Sequence, residues 1–453
     1  MSAVRRDQPP APAPIRPLAF PRIERHRLDN GLAVLAARHG DLPLVTAQLV
    51  LDAGAAGDPA RKAGLAQLTT DALETGTRTR SAGALAWALE RLGIELGSAA
   101  SWDAAALHIT VPRERLEAAL ELFADIARHP AFPENEVERL RDEQLASILQ
   151  RRKEPRALAN DMAAHFIFAP DVPYARPLIG TTASVEALTR DDIEAFYRTH
   201  YLPNAASLLF VGDIDAEHAR ALADRYFGDW PAGQPETPEF DVVPGVETRT
   251  IFVVDRPGSV QSEIRIGDVG VARHHEDYFP LLVMNTILGG AFTSRLNMSL
   301  RERHGFTYGA SSTFAFRRRP GPFIVQAAVA TDVTARAVHE ALNEMSALRD
   351  NGATEQEVAA ARDYLRGILP LQLQTTEQLA SRLADIVIYD LPDDYFQLYR
   401  DRIAAVSPED VHRVAREHLR LDRLAIVVVG DAGRITPDLE ALGVGPVVVH
   451  GGD

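Results

Sequence analysis

The chain has 453 residues, 46% of them hydrophobic and 25% charged, enough to bury two ordinary cores, so a soluble, multi-domain globular protein is expected. A formal charge of −15 with no long basic run disfavours nucleic acid and anionic bilayers as partners. The lack of cysteine rules out disulfides and thiolate metal sites.

Residues 1–20 hold an Arg pair and five prolines between Pro9 and Pro17. With no apolar run after the arginines, this reads as a flexible, Pro-rich arm and not as a signal peptide or anchor. No window approaches the length of a membrane-spanning helix, so the expected location is cytoplasmic, or periplasmic if a leader has been removed.

Residues 21–228 read as an N-terminal α+β domain. It opens with strand-like runs at 33–37 and 45–51 and ends in a pattern that recurs later in the chain. Leu188-Thr189-Arg190-Asp191-Asp192-Ile193, running on to His200 and the Leu208 to Asp213 strand, matches Val406-Ser407-Pro408-Glu409-Asp410-Val411, running on to His418 and the Ile426 to Asp431 strand. Thr189 and Ser407, His200 and His418, and Gly212 and Gly430 are each 218 residues apart, so the two copies align without a gap. Each reads as a capped amphipathic helix followed by a strand ending in Gly-Asp. A second pair, Glu136 with Arg141 and Glu357 with Arg362, repeats at an offset of 221 on long helices. Residues 229–244, rich in Pro, Gly and acid, make a linker, and 245–453 form the second domain. The expected fold is therefore α+β: two homologous domains, each a mainly antiparallel sheet with helices packed on one face.

In the second domain, residues 288–312 read LGGAFTSRLNMSLRERHGFTYGASS. The pattern predicts a helix opened by Gly289 and Gly290, capped by Thr293 or Ser294 and ended by Gly305, with an extended segment beyond. Arg301 then lies one turn before the corner and Tyr308 just past it, so both can aim at one point. The alternative is a solvated Arg and a half-buried Tyr. Two histidine groups, His274-His275-Glu276-Asp277 and His339-Glu340-Ala341-Leu342-Asn343, read as solvated surface, the second with Asn343 where a zincin helix has its second histidine.

Together these segments resemble the pitrilysin, insulinase and mitochondrial processing peptidase family. The marks are Arg-Leu-Asp-Asn-Gly-Leu at 27–32, Gly64-Leu65-Ala66 running to Gly76-Thr77, the capped helix with its Val-Gly-Asp strand, and the 288–312 stretch. The resemblance implies paired α+β halves forming half of a clamshell around a peptide. Active members carry an inverted zinc motif, His-x-x-Glu-His, after the Gly-Leu-Ala. Here Gln67, Thr70 and Asp71 stand at its functional positions, and Ser147 falls where a further Glu ligand would lie. An amide, two hydroxyls and one carboxylate do not make a zinc site, so no cofactor is expected in this chain. The family's second-domain Arg and Tyr, by contrast, match Arg301 and Tyr308. The resemblance implies that the strand around Ser98, Ala99, Ala100, Ser101 and Trp102 corresponds to a sheet edge that receives peptide as an added strand; the alternative is an ordinary edge blunted by small residues.

The resemblance thus implies a non-zinc-binding subunit, inactive alone, in a heterodimeric zinc metalloendopeptidase acting on peptides. The homologous partner would carry the zinc. Two other roles stay open: a structural subunit, and a peptide-binding homodimer that does not cut.

Overall fold

The computed structural model describes residues 18–451, so the 1–20 arm lies almost wholly outside the described residues. Two six-stranded sheets organise the chain. The first contains β1 (Glu24–Arg27), β2 (Ala33–Arg38), β3 (Leu44–Leu51), β4 (Leu96–Ala100), β5 (Ala105–Pro112) and β6 (Ala206–Gly212) in the order β1-β2-β6-β3-β5-β4. The second contains β7 (Thr250–Asp255), β8 (Gln261–Val269), β9 (Ala310–Phe314), β10 (Pro322–Ala330), β11 (Ala425–Gly430) and β12 (Val447–His450) in the order β12-β7-β11-β8-β10-β9. From the second position onward the two orders are the same. They differ at one edge, which the start of the chain fills in the first sheet and the end of the chain fills in the second.

The repeated segments occupy equivalent places. Thr189 and Ser407 each close a capping box at the start of helices Arg190–His200 and Pro408–His418, with Asp192 and Asp410 returning the bond. Each helix leads into the strand that joins the sheet parallel to its neighbour, β6 against β2 and β11 against β7. The other pairings are antiparallel except β12 with β7. Residues 229–244 contain no helix or strand beyond a single bridge between Phe168 and Pro244. Among the described residues no helix is long and apolar enough to cross a membrane.

β11 is apolar along its whole length and β6 along all but the half-buried Ser207, and both are buried on both faces, as a strand is when each side of its sheet is covered. Each sheet's own helices cover one face. In β6, Leu208 and Phe210 point into that core, while Leu209 and Val211 point the other way. What meets Leu209 and Val211 comes from the opposite half of the sequence. Helix Thr376–Ile388 lays Leu379, Leu383 and Ile386 against Leu35, Val50, Leu209 and Val211. The exchange is reciprocal: helix Pro155–Ile167 lays Ala159, Ala163, Phe166 and Ile167 against Ala425, Val427 and Val429 of β11. The two helices start 221 residues apart, at 155 and 376, the offset that separates Glu136 from Glu357. Helices therefore lie on both faces of each sheet, one face covered from within the half and the other by exchange.

Polar contacts fix the exchanged helices in register. Thr46 of β3 donates a 2.7 Å hydrogen bond to the Thr376 hydroxyl, and the fully buried Arg265 of β8 donates to Asn160 on the Pro155 helix at 2.8 Å. Between the halves, Arg317 stacks on Trp102 at 3.7 Å and on Tyr174 at 4.4 Å. Asp103 accepts the Tyr174 hydroxyl at 2.7 Å and the Arg318 backbone N–H at 3.0 Å, while the Arg318 side chain pairs with Asp52.

The exchange makes the two halves one cooperative unit. Of the three tryptophans, Trp87 and Trp102 lie in the first half, and Trp230, just beyond it, packs into the first half's core. Leu383→Ala, in the second half of the sequence, is expected to cost about 2–5 kcal/mol and to lower the tryptophan-fluorescence unfolding midpoint together with that of far-UV circular dichroism. A tryptophan transition that stays in place while the rest shifts would show that the halves unfold separately.

Candidate functional site

The Gly-Leu-Ala segment forms helix Leu65–Ala72, and its start is held by a buried carboxylate. Asp58 accepts the Gly64 and Ala66 N–H groups, each at 2.9 Å. Burial, only partly offset by these bonds, pushes its pKa up to about 7. One turn on, the Gln67 amide donates to both Asp71 oxygens at 2.9 and 3.0 Å. The Thr70 side chain turns into the core, donating to Ala66 O at 2.8 Å and meeting the Tyr201 hydroxyl at 3.0 Å. Burial also raises Asp71; the Gln67 bond offsets part of this and the nearby Glu143 charge adds to it. Glu74 is likewise raised by burial and accepts from Ser98 at 2.6 Å.

The structure therefore joins Gln67 to Asp71, buries Thr70 away from them, and leaves Ser147 exposed on helix Glu134–Lys153. From that helix the charge reaching Asp71 belongs to Glu143, one turn before Ser147. The donor set does not fit zinc. The amide occupies the carboxylate that would ligate, the hydroxyl at the position of the base is committed to the core, and no imidazole is present.

The 288–312 stretch is less regular than the predicted helix. Residues Thr286–Gly290 form a π-helical turn that continues helix Tyr278–Asn285, so the two glycines end one segment instead of opening the next. The backbone must turn there because β9 passes close by: a Cβ on Gly289 would sit 2.3 Å from Ser312 N. A short helical turn, Arg295–Asn297, then passes into a second π-helical segment, Met298–Arg303, and Gly305 closes it at φ 64°. Ser294 is the N-cap residue, without a side-chain capping bond.

Arg301 emerges from the second π segment with its guanidinium 4.6 Å from the centre of the Phe292 ring. Tyr308 stands in the loop before β9 and is 94% exposed. No hydrogen bond or ring contact among the described residues joins Arg301 to Tyr308. A residue that the sequence pattern did not single out ties their surroundings together. The buried Asn297 donates to Phe292 O at 2.6 Å and accepts the Ala310 N–H at 3.2 Å, pinning the ring under Arg301 to the strand that follows Tyr308. Phe292, Met298 and Tyr308 are all exposed large apolar side chains, 69%, 44% and 94%. Exposed large apolar side chains so near one another in sequence make this segment a candidate interaction surface.

Ser98, Ala99 and Ala100 lie on β4, which pairs only with β5 and so offers its outer edge. Ser101 and Trp102 follow in the turn. Their carbonyls accept the Ala55 and Ala56 N–H groups at 2.9 Å, and the Trp102 ring lies under Arg317. In the second sheet β9 holds the equivalent edge.

Of the two histidine groups, one is drawn into a network. Asp277 meets His418 Nε2 at 2.8 Å and His275 Nδ1 at 3.7 Å, and its other oxygen takes Arg413. Burial raises the Asp277 carboxyl, but the hydrogen bonds from Arg413 and His418 outweigh it and hold the pKa below its usual range. Both oxygens are engaged, and the network fastens helix Pro408–His418 to the start of helix Tyr278–Asn285.

Comparison with known proteins bears on this geometry. Residues 34–182 match the family model described as insulinase (peptidase family M16), and residues 187–365 match that described as peptidase M16 inactive domain. A Mycobacterium tuberculosis protein named as an uncharacterized zinc protease is 27% identical over 426 residues, 94% of this chain and 97% of its own length. A Schizosaccharomyces pombe protein named as a probable mitochondrial-processing peptidase subunit beta is 26% identical over 432 residues, 91% of this chain and 92% of its own. The crystal structure of a peptidase M16 inactive domain from Pseudomonas fluorescens superposes with a TM-score of 0.85 at 26% identity, covering 90% of this chain and 97% of that one.

The environment of Asp58 sets a pH dependence. Its folded pKa, raised from 3.8 to about 7, means that the native state holds a proton which the unfolded chain releases near pH 4. That stability is fully present below the unfolded value and is lost as the pH rises towards 7. Asp58→Asn is expected to flatten the fall in thermal midpoint between pH 4 and 7, at a general cost of about 1 kcal/mol for the weakened cap. An unchanged pH slope would assign the effect elsewhere.

Proposed function

Because the chain belongs to the insulinase peptidase family M16 and has the make-up of its non-zinc-binding members, we propose that it is the complementary subunit of a heterodimeric zinc metalloendopeptidase. Its homologous partner carries the zinc and the catalytic Glu, and this chain supplies Arg301 and Tyr308. The observation that carries the reading is a contrast within one molecule. The positions where a zinc site would lie hold a Gln–Asp hydrogen bond and a buried Thr, while an Arg and a Tyr stand out from the second domain amid exposed apolar side chains.

Peptide hydrolysis places negative charge on the scissile carbonyl oxygen. A Tyr hydroxyl donates a hydrogen bond to such an oxygen, and a permanently charged guanidinium strengthens it. An unpaired Tyr308 ring with 94% of its surface in water gains from being covered by a partner or substrate. Stacking on Phe292 limits the rotamers open to Arg301, which lowers the entropy lost when it engages. Peptide then adds along the β4 edge, where Ser98 to Ala100 offer main-chain bonding and little side-chain obstruction.

The test is peptidase activity on an unstructured peptide, with this chain alone, a zinc-bearing homologue alone, and the two mixed. Only the mixture is expected to cut efficiently. Arg301→Ala or Tyr308→Phe should lower its rate on the order of 10²- to 10³-fold with the dimer intact by size-exclusion chromatography. A mixture no faster than the homologue alone would leave a structural or peptide-holding role.

A further inference from the structure

The exchanged helix Thr376–Ile388 meets the second half's own core around a cavity of about 230 Å³. Its wall includes Arg273, Arg382, Asp385, Gln372, Tyr389 and Tyr399. Arg273 is the unusual member, being only 7% exposed. Its guanidinium lies 3.7 Å from the Tyr278 ring centre, 4.8 Å from that of Tyr395 and 5.9 Å from that of Tyr389. Among the described residues no carboxylate reaches it within ion-pair distance, since Asp385 pairs with Arg382 at 3.1 Å. The Tyr395 hydroxyl is close enough to interact with it, yet this buried oxygen has no well-aligned hydrogen-bond partner.

Aromatic faces attract a cation but accept none of its five N–H groups in the way an oxygen does. The Tyr395 hydroxyl can meet only part of that capacity, and a buried guanidinium left short of acceptors is costly unless an anion meets it. Counting charges on the wall gives two arginines and one carboxylate, a surplus of one positive charge. Arg382 and its partner Asp385 are each 31% exposed, and Arg382 also donates to Gln372 at 2.9 Å, so the side by which a small solute enters is the one these residues form. The volume falls below the few hundred Å³ that a cofactor-sized ligand needs.

We infer that this cavity is a binding site for a small oxyanion, a phosphate or a carboxylate, held by the Arg273 guanidinium and by Arg382 at its mouth. A planar guanidinium fork matches both groups through paired N–H bonds. Arg273 belongs to the body of the second half, and Arg382 to the helix that covers the first sheet. An anion between them therefore fastens the exchanged helix to the half that lent it.

The full-length chain is titrated calorimetrically with inorganic phosphate, and separately with an N-acetylated dipeptide bearing a free terminal carboxylate and with its amide, at ionic strength held constant with sodium chloride. One saturable site per chain is expected for phosphate, for the peptide acid or for both, with none for the amide; the pattern tells which source of oxyanion the site prefers. Arg273→Met and Arg382→Gln should each weaken binding at least tenfold, while Arg113→Ala, on the distant surface, should not. Should Arg273→Met fail to fold, Arg382→Gln and Tyr399→Phe on the same wall carry the comparison. The inference is overturned if neither oxyanion saturates, or if the wall variants bind as the unaltered chain does.

Discussion

Each of the two sheets has two apolar faces, and the helices that follow a sheet in sequence cover only one of them. The uncovered face, carrying Leu209 and Val211 in the first sheet and Val427 and Val429 in the second, has no place in water. Trading one helix in each direction removes both surfaces at once. Much else follows from that trade. It brings Arg318 of the second half to Asp52 and Asp103 of the first and stacks Arg317 on Trp102.

The degenerate positions are occupied, not simply vacated. Gln67 and Asp71, one helical turn apart, satisfy each other, and Thr70 joins Tyr201 in the interior. Buried polar side chains must find partners or pay for desolvation, and Gln67, Thr70 and Asp71 each have one. The 288–312 segment is the opposite case. Its irregular π-helical turns leave Phe292, Met298 and Tyr308 without cover, and Asn297 holds that arrangement from beneath. Stability is spent there on keeping side chains outward, a pattern typical of surfaces that meet something else.

Much of this was legible in the sequence, because the responsible forces are local. The repeat at an offset of 218 reflects two capping boxes and two central strands, and each depends on residues within a few positions of one another. That an amide, a hydroxyl and a carboxylate at positions 67, 70 and 71 suit zinc poorly follows from residue identity alone. The helix exchange was not legible. An amphipathic pattern in residues 376–388 says that one face is buried and says nothing of which sheet buries it. Glu143 escaped notice because spacing along the chain pointed one turn further on, to Ser147, whereas the packing of one helix on another decides which residue faces Asp71. Asn297 sits inside a run of ordinary helix formers, and only its bonds to Phe292 and Ala310 reveal what it does. The π-helical turns depend on the approach of β9 to Gly289, a contact between distant elements that propensity does not encode.

The matched offset of 221 between the exchanged helices carries a consequence for how such a chain arises. A half-length ancestor with the same pattern would have carried an apolar sheet face that its own helices could not reach. Two copies lending each other a helix about a two-fold axis would have closed both faces, which is an ordinary domain-swapped dimer. Joining the end of one copy to the start of the next needs only a segment as long as residues 229–244. Once the copies were covalently tied, identity between them was no longer required by symmetry. One could then drift at its catalytic positions, and the other could specialise in what it presents to a neighbour, without either face of either sheet being exposed.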